Sequence, residues 1–170
     1  MDSTAKTDNR QTVTLLSLSP LEEDHLALEH IFQSSEATLY PGLRVAVARA
    51  WESGNAVETV QASRIPIVIC DADQMADEWQ LVALELRRVP ETPCLILASS
   101  VRDDCFSAEA LKQGVYDVLT KPLRATEVLR ITKMAWLRWQ HRYHVHNPEP
   151  ETLSGASAEV ETGRITKEKP

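Results

Sequence analysis

"IPIVICDADQ" (65–74) decides the fold. Residues 65–70 are apolar at every position and mostly β-branched, and the run stops at a carboxylate, Asp71, with a second at Asp73. A continuous apolar run of this length is what a strand covered on both faces requires. The flanking sequence repeats the pattern. "TVTLLSLS" (12–19), "GLRVAVARA" (42–50), "TPCLILAS" (92–99) and "YDVLT" (116–120) read as further strands. Between them lie amphipathic or helix-forming stretches: one from Pro20 with Leu21, Leu28, Ile31 and Phe32 at helical spacing, then "NAVETVQAS" (55–63), "EWQLVALELRRV" (78–89) and "CFSAEALKQG" (105–114). A long helix starts at Arg124. Strand and helix thus alternate about five times. The fold class that follows is α/β, a five-stranded parallel doubly wound sheet with helices on both faces.

The bulk properties agree with one domain. The chain has 170 residues, 43% hydrophobic and 25% charged, and a formal net charge of −7. That balance disfavours nucleic acid or an anionic membrane as the main partner. Lys133, Arg138 and Arg142 interleave with Trp136, Trp139 and Tyr143 on the last helix. The acidic remainder makes this a packing and protein-contact face rather than a nucleic-acid patch. Cys70, Cys94 and Cys105 show no paired or metal-ligand spacing, so a reduced, cytoplasmic setting is expected. His25, His30, His141, His144 and His146 show no convergent metal pattern, and the last three are expected to face water. No apolar stretch is long enough to span a bilayer. Residues 1–11 read as a disordered lead-in, 12–145 as the domain, and 146–170, rich in Pro, Glu, Ser, Thr and Gly, as a disordered tail.

In a doubly wound sheet, ligands and reactive groups gather at the carboxyl ends of the strands. That rule brings Ser19, Asp71, Ser99 and Lys121 to one edge. An acid after strand three, a hydroxyl after strand four and a Lys-Pro after strand five form a specific set. With "IPIVICD", "TPCLILASS" and "GVYDVLTKPL", the chain resembles, over roughly residues 10–145, the receiver domain of bacterial two-component response regulators, a flavodoxin-like fold.

The resemblance implies that Asp71 accepts a phosphoryl group from a sensor histidine kinase or phosphotransfer protein. Lys121 would contact the phosphoryl oxygens, and Lys121–Pro122 would be a cis peptide. A hydroxyl after strand four would read the phosphate. Counted from Pro93 that position is Ala98; counted back from Gly114 it is Ser99. Output would be contact with a downstream protein, since no DNA-binding or enzymatic output domain is recognisable in the chain. The face of strands and helices four and five is one on which such domains contact partners or a second copy of themselves, so a homodimer through it is compatible. Mg²⁺ is the implied cofactor, with Asp71 as a ligand.

The departures are as informative. The family's two adjacent acids after strand one are Ser19 and Pro20 here, and neither can hold Mg²⁺. Acids follow in Glu22, Glu23 and Asp24. Ser19 as N-cap, Pro20 at the first helical position and Glu22 three residues after the cap fit a capping box. Glu23 and Asp24 then favour the positive helix end. That reading is preferred over a metal role. Val118 stands where an aromatic switch residue is usual, and Asp73 reads as a solvated loop acid. These departures leave an alternative open: a phosphorylation-independent pseudo-receiver acting as a protein-binding module. A flavodoxin-fold enzyme is disfavoured, because "SLSPLEED" is stiff and acidic where a phosphate loop is Gly-rich.

Overall fold

A computed structural model describes residues 11–34, 43–101 and 103–146. Five strands, β1 (Gln11–Leu18), β2 (Leu43–Ala50), β3 (Ile67–Asp71), β4 (Cys94–Ser99) and β5 (Asp117–Thr120), alternate with five helices. The helices are α1 (Glu22–Ser34), α2 (Ser53–Ser63), α3 (Trp79–Leu86), α4 (Asp104–Lys112) and α5 (Ala125–His146). The sheet order is β2-β1-β3-β4-β5 and every pairing is parallel. The expected strands and helices are all present. Arg44 and Arg49 are accommodated in β2, where Arg49 reaches out to Glu29 of α1 at 2.6 Å.

Every residue of β3 and β4 is buried, as their unbroken apolar runs demand. Alternation divides their side chains between two cores. Val68, Cys70, Leu95 and Leu97 face α2, α3 and α4, where Val60, Trp79, Val82, Leu86 and Ala110 pack. Ile67, Ile69, Ile96 and Ala98 face α1 and α5, meeting Leu28, Ile31, Val128, Ile131 and Trp136. By the same period of two, Asp71 follows Ile67 and Ile69 toward the α1 and α5 side. This places its carboxylate under the first turn of α1.

Three boundaries differ from expectation. Gln11 is not lead-in; it pairs with Leu43 and opens β1. His146 ends α5 rather than beginning a tail, and the remainder of both expected tails lies outside the described residues. The first helix starts at Glu22, so Pro20 is not its first residue. Trp136 is 6% exposed and packs into the core, and Trp139 and Tyr143 continue from it as a stack with centroids 5.6 and 5.3 Å apart. The aromatic residues of α5 are thus committed to packing. His141 is exposed, as expected. Among the described residues, no helix is long and apolar enough to cross a membrane.

Candidate functional site

Asp71 ends β3 opposite Ala98, and Lys121 follows β5 directly. The Lys121 N–H donates to the Ser99 carbonyl at 2.8 Å, so backbone pairing fixes where its side chain starts. The peptide Lys121–Pro122 is cis, in agreement with the expectation.

The ammonium of Lys121 lies between two carboxylates. It is 3.1 Å from Oδ2 of Asp71, and 3.1 and 3.2 Å from the two oxygens of Asp24. Asp24 was expected only to favour the helix end. It reaches the site because α1 begins late: the chain bends at Ser19 and Pro20, and Asp24 comes in one turn before Leu28, on the face that meets the sheet. Ser19 does not form the expected capping box with Glu22. Its hydroxyl accepts from the Leu21 N–H at 3.1 Å and donates to Oδ2 of Asp24 at 2.6 Å. Ser19 therefore orients the acid on which Lys121 rests.

Asp71 is deeply buried, its side chain 1% exposed against 17% for Lys121 and 18% for Asp24. Its Oδ1 accepts from the N–H groups of Asp73 at 2.9 Å and Gln74 at 3.4 Å. Its Oδ2 is buried with no hydrogen bond, held only by the charge of Lys121. Burial pushes the Asp71 carboxyl above its ordinary range, and Asp24 beside it adds to the rise, against the pull of Lys121. Burial also acts on Asp24, but the hydrogen bond from Ser19, its neighbour Asp71 and the ammonium of Lys121 outweigh it and hold that carboxyl low. For Lys121, burial is overcome by the two carboxylates, and its pKa rises. Of the two carboxyls, the more deeply buried Asp71 is thus the one pushed up and Asp24 the one held low. Ser19, Asp24, Asp71, Ala98 and Lys121 line one small pocket.

Ser99 is the last residue of β4, while Ala98 lies within the strand, paired to both Asp71 and Leu119. A hydroxyl at the strand tip is therefore Ser99. It is not turned toward Asp71. Its Oγ donates to Oδ1 of Asp73 at 2.7 Å and accepts from the Val101 N–H at 3.0 Å. Asp73 is thus not the solvated acid expected: its loop lies against the β4 tip, where Ser99 and the Ser100 N–H both donate to it. Val118 is partly buried against the α2–α4 core, a packing position.

Sequence reasoning passed over His25 as well. It is fully buried beside the site. Its Nε2 lies 3.0 Å from the Ser19 carbonyl, which can only accept, so that nitrogen carries the proton; Nδ1 accepts from the Ser17 hydroxyl at 2.7 Å. The imidazole meets Trp51 edge-on at 4.4 Å. Cys70 is also inert, its thiol pushed up to about 12 by burial.

The residues do not fit the Mg²⁺ implied by the resemblance. Among the described residues, no three His, Cys, Asp or Glu side chains converge on one point. The two carboxylates that do converge share Lys121, whose ammonium takes the place a metal ion would need.

No family model and no curated protein matches this chain. Solved structures do. A response regulator from Chloroflexus aurantiacus, described as putative in its name, is 18% identical, with 75% of this chain and all of that one covered, at a TM-score of 0.64. The receiver domain of a LuxO repressor protein from Vibrio parahaemolyticus, likewise so described, is 12% identical over 79% of this chain and 98% of its own, at 0.66. A CheX–CheY complex with BeF3 and Mg²⁺ from Borrelia burgdorferi matches at 17% identity, covering 73% and 89%, at 0.59. At these identities the likeness is one of fold, and the chain has the five-stranded α/β fold of signal receiver domains.

Proposed function

We propose that the protein is a signal receiver that takes a phosphoryl group on Asp71 and passes the signal on by contact with another protein, acting in the cytoplasm and catalysing no reaction on other molecules. The observation that carries this reading is the meeting of Asp71 and Lys121, 3.1 Å apart, at the carboxyl ends of β3 and β5, with Ala98 of β4 between the two strands. Oδ1 of Asp71 is occupied by backbone N–H groups, which leaves Oδ2 as the attacking oxygen. The new O–P bond forms there as the N–P bond of a phosphohistidine on a sensor kinase or phosphotransfer protein breaks, its electron pair returning to the ring. Lys121 neutralises charge on the transferring oxygens. Asp24 shares that ammonium, so its carboxylate moves aside as the phosphoryl group enters. Ser99 follows Leu95 and Leu97 to the other face of β4 and is tied to Asp73, whose N–H is bonded to Asp71, so a change at Asp71 reaches the loop after β4 through the loop after β3.

The test is intact mass after incubation with acetyl phosphate. A gain of one phosphoryl group that disappears in Asp71→Asn supports the reading. Labelling unchanged in Asp71→Asn overturns it. The near-complete burial of Asp71 favours a second reading, a binding module that keeps the fold and works without phosphorylation. Absence of any gain, with the protein folded, selects that one.

A further inference from the structure

The geometry points to Lys121 as the resident cation of this site, which closes the space between Asp24 and Asp71 to divalent metal. Three carboxylate oxygens lie within 3.1 to 3.2 Å of its ammonium. Two of them belong to one residue, Asp24, whose second oxygen is also held by the Ser19 hydroxyl at 2.6 Å. Asp24 is thereby set as a positioning residue for Lys121. The buried Oδ2 of Asp71, 3% exposed as a residue and without a hydrogen bond, aims at the same point and needs a positive charge there.

A divalent ion bound to these oxygens would sit beside the ammonium, since hard cations hold carboxylate oxygens at roughly 2.0–2.6 Å. The site already has one positive charge for two carboxylates, three of whose oxygens it holds. The geometry also lacks the further oxygen ligands that would compensate for repulsion: Oδ1 of Asp71 is turned to backbone donors, and Ser19 donates rather than accepts at Asp24. This inference does not depend on phosphoryl transfer and stands under either reading of the function.

The experiment uses the full chain and metal alone. Free Mn²⁺ is followed by its electron paramagnetic resonance signal during titration, and the thermal midpoint is read with and without millimolar Mg²⁺. The wild type is expected to leave free Mn²⁺ undiminished and its midpoint unmoved. Lys121→Met is expected to bind Mn²⁺ about a hundredfold more tightly, the repulsion between a unit and a double charge roughly 3 Å apart at the dielectric constant of water. Adding Asp24→Asn to that variant should abolish the gain. Saturable Mn²⁺ binding by the wild type that Asp24→Asn removes would overturn the inference. So would a folded Lys121→Met that binds no better than wild type. If Lys121→Met does not fold, Lys121→Gln takes its place, and the wild-type titration by itself can overturn the inference.

Discussion

Ser99 donates its hydroxyl proton to Asp73 at 2.7 Å, which ties the loop after β4 to the loop after β3. The Ser100 N–H adds a second bond to the same carboxylate at 2.8 Å. Asp73→Ala removes both partners at once and is expected to cost about 2 kcal/mol, while Ser99→Ala costs about 1 kcal/mol. Urea unfolding of the two variants checks the order. Burial pushes the Asp73 carboxyl up, but Ser99 and Ser100 outweigh it and hold it below 3.8. The stability it contributes is therefore present above that value and lost as the pH falls through the depressed one.

His25 sets a dependence at higher pH. Burial, with Arg49 nearby, holds its pKa below the ordinary 6.5, against the Ser19 carbonyl, Asp24 and Glu29. The unfolded chain thus takes up a proton that the folded chain resists. Stability from this group is complete above 6.5 and declines below it, by at most about 1.4 kcal/mol per pH unit. Thermal midpoints measured on either side of that value should show the decline, and His25→Gln should flatten it.

Thr132 is fully buried in α5, and its hydroxyl has no hydrogen-bond partner. Thr132→Val keeps the shape and removes the unsatisfied group. It is expected to stabilise the fold by about 1 kcal/mol, read as a higher urea midpoint with an unchanged slope. A lower midpoint would mean that the hydroxyl is satisfied in solution.

Gly114 closes α4 at φ +89°, with the Val115 N–H returning to the Ala110 carbonyl at 3.1 Å. A side chain there is strained, and a Cβ would also come within 2.5–2.9 Å of the Arg87 guanidinium. The guanidinium can swing away; the backbone cannot change hand. Gly114→Ala should therefore cost about 1–2 kcal/mol, measured by thermal unfolding.

The sheet was legible because both its faces are covered. Unbroken apolar runs at 65–70 and 92–99 leave no other reading, and the strand tips then follow by chain order. Helix starts were less legible, since Ser-Pro-Leu-Glu fits a capping box whether or not the hydroxyl finds a stronger partner. Here it found Asp24. Asp24 itself could have been found. It lies four residues before Leu28 on the inward stripe of α1, and alternation along β3 turns Asp71 to the same side. Asp73 carried no such signal, because a loop acid has no periodicity and its partner Ser99 is 26 positions away. His25 was weighed only as a metal ligand, and the two polar neighbours it meets on β1 and at Ser19 explain its burial.

Lys121 stands 97 positions after the Asp24 it neutralises. A nascent chain that has emerged only through β4 already contains both acids but not their counterion. Closing such a long loop is entropically slow, and the counterion arrives with β5, a four-residue edge strand that pairs with β4 alone. Asp24 and Asp71 therefore gain their shared cation only when β5 docks on β4, so a short strand at one edge of the sheet sets the charge balance of residues far earlier in the chain.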